Sequence, residues 1–191
     1  MSYILKPAVT LFITAVITIS VVSYAYNLTL EPIQRQIRRT QEAAMRAVLP
    51  QASDFRQMPV DKTGSITGIF EGLAEGQVIG FVVALSPGGY GGNIDMMVGI
   101  SIPDEKITGM RILRHSETPG LGALATREFF YRRFDNRPLV PLGVARSSPG
   151  ENDILAITSS TITTRAITNA VNEAIKWYQD AQYRAGPGGG R

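Results

Sequence analysis

Residues 7–30 contain no charged side chain, and this stretch restricts the possible folds of the chain more than any other. Apolar residues dominate it, with threonines and serines between them. A helix of this length rises about 36 Å, which is enough to cross a hydrocarbon core of roughly 30 Å. Tyr24 and Tyr26 lie near its end, where aromatic side chains commonly meet the membrane surface. The sequence therefore predicts one transmembrane helix and a chain held in a lipid bilayer.

A cleaved signal peptide is the alternative interpretation of this stretch. Ser23 and Ala25 form a small-x-small pair after an apolar run, as at a cleavage site. The apolar part of a signal peptide is usually only about 7–15 residues long. The greater length of residues 7–30 therefore favours an anchor that is retained.

Changes in composition divide the rest of the chain into four segments. Residues 1–6 form a short N-terminal segment, and residues 31–50 carry apolar side chains at roughly helical spacing up to Pro50. We expect a juxtamembrane helix there, whose charges face solvent or contact lipid headgroups or a partner subunit. Residues 51–180 suffice for one globular domain with a real core. Residues 181–191 have little to bury and should form a flexible tail.

Short runs rich in Ile, Val, Phe and Gly predict a sheet in this domain. Four of them follow one another with brief connections, which is typical of an antiparallel meander. A further run, residues 154–158, is predicted to be a final strand that leads into a helix with apolar side chains at steps of three and four. The predicted fold class is α+β, with an antiparallel sheet and flanking helices. The four runs are residues 65–73, 77–85, 94–102 and 107–114.

Two connecting segments also carry a local pattern. Residues 123–134 predict a short helix whose Phe129, Phe130 and Phe134 pack into the core, while the arginines among them are solvated. Residues 86–93, SPGGYGGN, contain four glycines and predict a flexible hairpin turn. The arginines are Arg127, Arg132 and Arg133.

Composition also excludes several cofactors. The chain has no cysteine, so disulfides, cysteine-ligated iron–sulfur clusters and C-x-x-C-H haem attachment are ruled out. Because His115 is the one histidine, we expect no metal site and interpret His115 as a polar loop residue. A net charge of +3 without a long basic run gives no support for nucleic-acid binding. If the protein moves electrons, an organic cofactor must carry them.

A cluster of hydroxyl side chains precedes the last predicted helix. The start of a helix presents unpaired backbone N–H groups and the positive end of the helix dipole, so it suits a phosphate. A threonine there could also carry a phosphate covalently. The simpler interpretation is N-capping by Thr161 or Thr163, but a cap needs only one hydroxyl. The cluster comprises Thr158, Ser159, Ser160, Thr161, Thr163 and Thr164.

The hydroxyl cluster resembles a flavin attachment site. Residues 158–171, TSSTITTRAITNAV, are similar to the flavinylation site in the G subunit of Rnf electron-transport complexes and in their sodium-pumping quinone reductase relatives. The resemblance implies that a separate flavin transferase esterifies the Thr161 hydroxyl to the phosphate of FMN. It matches Thr158 to the opening Ser/Thr of the family signature, and Thr163 and Thr164 to the polar pair that follows.

The chain departs from that signature at two places. Ser159 and Ser160 replace the Gly-Ala pair of the family. Leu155 stands where the family usually has an aspartate, and Asp153 lies two places further off. Both departures concern recognition by the flavin transferase.

A second segment resembles the same family. Residues 115–123, HSETPGLGA, are similar to its S/T-x-E-T-P-G-L-G segment. Taken alone, the segment is typical of a tight turn whose glycines allow close backbone approach, and an ordinary surface turn is the alternative. With the hydroxyl cluster present, we expect polar contacts to the flavin from Glu117 and Thr118 and an apolar contact from Leu121. The predicted FMN-binding residues are Thr158, Ser159, Ser160, Thr161, Thr163, Thr164, Glu117, Thr118, Gly120, Leu121 and Gly122; no catalytic residue is predicted.

The resemblance implies a membrane-anchored flavoprotein subunit. It would carry electrons through covalent FMN within an ion-translocating ferredoxin:NAD oxidoreductase complex, beside other membrane and peripheral subunits, and would not be catalytic alone. One alternative is a stand-alone FMN-dependent reductase, for which Glu117 and His115 are the acid–base candidates. The other is a cofactor-free binding module whose hydroxyls only cap a helix. Family members also bring loops like residues 86–93, with Tyr90, near the cofactor.

Orientation in the membrane is predicted differently by charge and by resemblance. Lys6 is the only basic side chain before the apolar stretch, whereas Arg35, Arg38 and Arg39 follow it closely. Charge counting alone places the following domain in the cytoplasm. The resemblance implies a short cytoplasmic N-terminus in the inner membrane and an FMN domain on the extracytoplasmic side, and we follow it.

Overall fold

The computed structural model describes residues 2–59 and 64–185. Within this range, it leaves out the side chains of residues 2–4, 27–34 and 182–185. The chain divides into two compact units, Met1–Gln41 and Glu42–Arg191, which are described separately.

One helix, α1, runs from Ser2 to Val48. Its segment Leu5–Tyr26 is long and apolar enough to cross a membrane, by length and composition. The sequence predicted a short segment, a transmembrane helix and a juxtamembrane helix; in the structure these residues form one continuous helix, Ser2–Val48. The expected boundary near residue 30 rested on a change from uncharged to charged side chains. Charged side chains favour water over lipid, but they do not prevent the backbone from continuing as a helix.

Hydroxyl side chains within the apolar segment bond to carbonyls of their own helix. Thr14 Oγ1, for example, donates to the carbonyl oxygen of Leu11 at 2.9 Å. Such bonds matter because an unpaired polar group in hydrocarbon costs several kcal/mol. Four hydroxyls of the segment are therefore paired within the helix. The other bonds run from Thr10 to Lys6, from Thr18 to Thr14 and from Ser20 to Val16.

The second unit is built on a six-stranded antiparallel sheet in which neighbours in sequence are neighbours in space. The four predicted runs are confirmed as its second to fifth strands. The sequence missed the first strand, which is polar along most of its length, and the two-residue sixth strand. The strands are β1 Asp54–Met58, β2 Ile66–Ala74, β3 Gln77–Leu85, β4 Asp95–Ser101, β5 Lys106–Arg114 and β6 Arg137–Pro138.

A small parallel pair lies outside this sheet. Strands β7, Gly143–Ala145, and β8, Asp153–Leu155, pair so that Val144 lies opposite Ile154. The predicted final strand, residues 154–158, is therefore shorter and begins one residue earlier. The chain leaves β8 and turns at residues 157–160 before the last helix.

The predicted helix of residues 123–134 consists of three short pieces. A 3-10 helix spans Gly122–Thr126, α2 spans Glu128–Tyr131, and a second 3-10 turn spans Arg132–Phe134. Phe130 and Phe134 are fully buried with ring centroids 5.6 Å apart, as predicted. Phe129 is 53% exposed, so its predicted burial is wrong. Adjacent residues on a helix point about 100° apart, and here Phe130 faces the core while Phe129 points toward solvent.

The prediction that three arginines here are solvated fails for Arg133. Its guanidinium donates a hydrogen bond to the carbonyl oxygen of Leu155, and partial burial lowers its pKa. It also lies 5.5 Å from the ring centroid of Phe130. Arg127 and Arg132 are exposed, as expected. Arg133 thus ties the last short turn to β8.

The last helix, α3, spans Thr161–Ala185 and covers one face of the sheet. Its buried side chains pack with Val83 and Val98, which lie opposite each other on β3 and β4. The flexible tail predicted from residue 181 is too long, because α3 continues to Ala185; residues 186–191 lie outside the described residues. The buried residues of α3 include Ile167, Ala170, Val171, Ala174, Ile175 and Tyr178.

The other face of the sheet is covered by residues 44–49, at the end of α1 and directly after it. Val48 and Leu49 are fully buried and pack with Phe70, Val82 and Met97. Val82 and its neighbour Val83 belong to different clusters, as expected because successive side chains of a strand point to opposite faces. The sheet therefore has an apolar core on each side.

Candidate functional site

The site is built where the chain turns into α3. The backbone N–H of Ser160 donates to the carbonyl oxygen of Ile157 at 2.9 Å, which closes a tight turn. Within it Ser159 has φ of +62°, in the left-handed region that favours glycine. Thr161 is the first residue of the helix. Ser159 occupies the position of the family's glycine, and its backbone conformation explains why a glycine suits this turn.

Two of the clustered hydroxyls serve the fold. Thr164 is fully buried; its Oγ1 accepts a hydrogen bond from the N–H of Ile157 at 3.1 Å and donates to the carbonyl oxygen of Ser160 at 3.0 Å. Thr163 is 2% exposed and its hydroxyl donates to the Glu117 carboxylate at 2.5 Å. These hydroxyls fix the turn and the first turn of α3.

The remaining hydroxyls are differently placed. Thr158 and Ser159 are exposed, Ser160 is buried and Thr161 is half-buried. Among the described residues, the Thr161 hydroxyl has no hydrogen-bond partner, and the N-capping bond considered for Thr161 or Thr163 is absent. Thr161 thus presents a hydroxyl that the fold leaves uncommitted.

Glu117 is the most buried carboxylate of the site, with 6% of its surface exposed. Its Oε1 accepts hydrogen bonds from the backbone N–H groups of Tyr90 at 2.8 Å and Gly91 at 2.9 Å, while Oε2 accepts from Thr163. Burial raises the pKa of Glu117, but the hydrogen bonds and the nearby His115 outweigh it, so the pKa lies below its ordinary value. Glu117 is therefore an anionic side chain in the wall of the site.

The turn after Glu117 depends on two glycines. Gly120 has φ of +77°, which a side chain would strain. A Cβ at Gly122 would collide with the Glu117 carboxylate and the Thr163 hydroxyl. The sequence suggested that these glycines admit a planar ligand; at Gly122 the close approach is instead to Glu117 and Thr163. Leu121 between them is 42% exposed.

These segments enclose a cavity of about 380 Å³. This volume lies within the roughly 300–1,000 Å³ typical of small-molecule sites. Most of the predicted site residues are brought together in its wall, although they come from two segments, 117–122 and 159–163, that are far apart in the sequence. The lining residues are Tyr90, Glu117, Thr118, Leu121, Gly122, Ser159, Ser160, Thr161, Ile162 and Thr163.

Three predicted residues do not line the cavity: Thr158, Thr164 and Gly120. Tyr90, which the sequence offered only as part of a hairpin, lines it and is 72% exposed. Ile162, 57% exposed, was missed. A signal for Ile162 existed, since an isolated apolar residue inside a run of hydroxyls falls outside the buried stripe of α3. His115 does not line the cavity; its Nδ1 accepts a hydrogen bond from the N–H of Glu117 at 3.2 Å.

Two family models match the chain. The FMN-binding domain matches residues 89–176, which include the whole cavity wall, and the RnfG N-terminal region matches residues 1–48. The G subunit of the Na+-translocating ferredoxin:NAD+ oxidoreductase complex of Acetobacterium woodii is 32% identical over 93% of this chain and 92% of its own length. This chain belongs to the RnfG family.

Other comparisons agree with that membership. The G subunit of the ion-translocating oxidoreductase complex of Methanosarcina acetivorans is 33% identical to this RnfG family member, over 90% of the chain and 95% of the relative. Among solved structures, the C subunit of the Na+-translocating NADH-quinone reductase of Parabacteroides distasonis has a TM-score of 0.59 at 15% identity, covering 78% of this chain and 94% of that one. The structural likeness confirms the α+β fold with its antiparallel sheet.

Proposed function

We propose that this chain carries electrons through FMN attached by its phosphate to the Thr161 hydroxyl, within an ion-translocating ferredoxin:NAD oxidoreductase complex. Its relatives are named as G subunits of such complexes, and its cavity lies inside the FMN-binding match. We do not expect it to be catalytic alone. Its partners would be the other membrane and peripheral subunits, and a flavin transferase during maturation.

The observation that carries the proposal is the placement of Thr161. Thr161 lines the cavity as the first residue of a 25-residue helix, and its hydroxyl has no hydrogen-bond partner among the described residues. The N–H groups of a helix start and the positive end of its dipole stabilise a phosphate there. The hydroxyls of Ser159 and Ser160 line the same wall and can donate to phosphate oxygens.

The rest of the wall suits a flavin ring. Leu121 and Ile162 offer exposed apolar surface, and Tyr90 offers an exposed aromatic face on which a flat ring can stack. Thr118 adds a polar group at the edge. When bound, FMN supplies the capacity to accept and release one or two electrons, while the protein supplies position and electrostatics. An ester bond would keep the cofactor from diffusing away.

Intact mass of the protein from its native host tests the attachment. We expect a gain of one FMN less one water, located by fragmentation to the peptide containing Thr161. Thr161→Ala should lose the whole gain, and Thr67→Ala, at an exposed threonine of β2 outside the cluster, should keep it. An unmodified wild-type peptide from cells that contain the transferase would contradict the covalent proposal and favour a cofactor-free binding module.

We also propose that the chain is a single-pass protein of the cytoplasmic membrane with its FMN domain outside the cytoplasm. The absence of cysteine allows single reporter cysteines to be placed without background. An impermeant maleimide applied to intact spheroplasts should label Ser147→Cys, which is exposed in the second unit, and should spare Ser2→Cys. The reverse pattern would show that the charge bias of Arg35, Arg38 and Arg39 prevails.

A further inference from the structure

Glu117 connects the three segments that form the cavity. Through Oε1 it holds the N–H groups of Tyr90 and Gly91 in the loop between β3 and β4. Through Oε2 it holds the hydroxyl of Thr163 in the first turn of α3. Glu117 itself lies at the start of the turn that continues to Gly122. Among the described residues, no other side chain bonds to both the loop and the helix.

The pattern of bonds suits a carboxylate. Three donors point at two oxygens, and an ionised carboxylate can accept all three because it has only acceptor sites. A glutamine could accept the two N–H bonds through its oxygen and donate its amide N–H to the Thr163 hydroxyl, so it can keep the contacts but carries no charge. Gly122 leaves room for this carboxylate, since a Cβ there would collide with it.

We propose that Glu117 is the positioning residue of the flavin site: its carboxylate holds the Tyr90 loop against the start of α3 and places a fixed negative charge in the cavity wall. This inference deepens the proposed function and rests on it for the identity of the ligand. It differs from the contact that the sequence predicted, because the carboxylate oxygens of Glu117 are engaged by the protein itself.

The bond between Glu117 and Thr163 also makes the Thr163 hydroxyl different from that of Thr161. Thr163 lies two residues after Thr161, so both sit in the first turn of α3. Because Thr163 donates to Glu117, its hydroxyl is committed to the protein, and Thr161 is left as the free hydroxyl of that turn. Glu117 therefore helps to determine which threonine is available for esterification.

The fixed charge acts on the redox equilibrium of a flavin in the cavity. Reduction adds negative charge to a flavin, and a nearby carboxylate opposes that addition in a site partly shielded from water. Charge near the ring is one of the means by which a protein tunes a flavin. Glu117 would thus lower the reduction potential of the bound FMN.

The positioning role is tested first in full-length protein made without the flavin transferase, by amide hydrogen exchange. Glu117→Ala should accelerate exchange at Tyr90 and Gly91 about tenfold or more, because their carboxylate acceptor is lost. Thr163→Val should also loosen the loop, and Thr163→Ser, which keeps the hydroxyl, should not. The control is Glu173→Gln, because Glu173 accepts from the N–H and hydroxyl of Ser65 outside the cavity. Unchanged exchange at Tyr90 and Gly91 in Glu117→Ala, or equal acceleration in Glu173→Gln, would overturn the inference.

The electrostatic role is tested in flavinylated protein by redox titration of Glu117→Gln, which preserves the shape of the side chain and removes its charge. We expect at least a tenfold shift of the equilibrium toward reduced FMN, which is about 30 mV for a two-electron couple. Glu173→Gln should leave the potential unchanged. Equal potentials for wild type and Glu117→Gln would overturn the charge role. If the wild type carries no FMN at all, the proposed function fails, and the exchange experiment still decides the positioning role.

Discussion

Ser159 occupies a backbone conformation that most residues avoid, at the position where the family signature has glycine. Its φ of +62° lies in the left-handed region, which costs a residue with a Cβ roughly 1–2 kcal/mol. The neighbouring contacts hold it there, because Thr164 bonds to both Ile157 and Ser160 across the turn. The departure from the signature therefore keeps the turn and adds local strain.

Relief of this strain gives the first prediction. Ser159→Gly should raise the free energy of unfolding by about 0.5–1 kcal/mol, since glycine adopts positive φ without strain but loses more entropy on folding. Chemical denaturation of the detergent-solubilised chain measures it. Ser148→Gly, at an exposed bend without positive φ, should be neutral or destabilising. A loss of stability in Ser159→Gly would show that the serine side chain contributes more than its strain costs.

Glu117 gives a prediction about pH. Its pKa in the folded protein lies below the ordinary 4.5, so the unfolded chain binds more protons between the two values. The stabilisation is therefore complete above about pH 4.5 and is lost as the pH falls through the lower, folded-state pKa. The stability of the wild type should therefore fall more steeply with decreasing pH in this acid range than that of Glu117→Gln. Thermal denaturation at a series of pH values measures the difference.

The comparison of these two proteins isolates Glu117 from Asp135, the other carboxyl with a shifted pKa. Burial raises the pKa of Asp135, although Arg111 and Arg132 partly offset it, so its protonation acts in the opposite direction. Asp135 is present in both proteins and cancels in the difference. Parallel acid profiles for wild type and Glu117→Gln would contradict the assigned hydrogen bonds of the carboxylate.

At the scale of elements, the sheet depends on the end of α1 as well as on α3. Thr108 on β5 donates its hydroxyl to the carbonyl oxygen of Val48, which would otherwise lack a partner at the end of the helix. Leu49 directly follows the helix and is fully buried against the sheet. The chain segment at the end of α1 is thus part of the core of the second unit.

Leu49→Ala is therefore predicted to cost about 2–5 kcal/mol of stability, the usual range for truncating a fully buried leucine. Ile37→Ala provides the control, because Ile37 on α1 is 60% exposed and its truncation should change stability little. Denaturant titration in detergent compares the two. Similar effects of both substitutions would mean that the segment after α1 contributes little to the core.

The sequence predicted those elements whose own residues carry the signal. The runs that became β2 to β5 are long and apolar, whereas β1 is mostly polar and β7 has only three residues, so neither shows a local pattern. The sequence predicted the two motifs of the site but not the contact between them. The bond between Glu117 and Thr163 joins residues 46 apart, and no spacing rule indicates which of six hydroxyls turns inward. That division depends on how α3 packs, which is a property of the folded domain.

At the scale of the whole molecule, the two units are expected to be separable in function. The first supplies a helix able to cross a membrane, and the second contains both apolar clusters and every residue that lines the cavity. A domain with its own core can in principle fold alone. Attachment to the membrane and binding of the flavin should therefore be lost independently.

A chain of residues 42–191, exported by a cleavable signal, tests this independence. It should fold, shown by circular dichroism, and should still gain the mass of FMN at Thr161. It should appear in the soluble fraction, whereas the full-length chain remains with the membranes. An unfolded fragment would show that residues 1–41 are required for the stability of the second unit.

The hydroxyls of Thr10, Thr14, Thr18 and Ser20 all bond within α1. These four hydroxyls need no hydrogen bond from a neighbouring helix. As far as they are concerned, this part of α1 can serve as an anchor beside any neighbour of suitable shape.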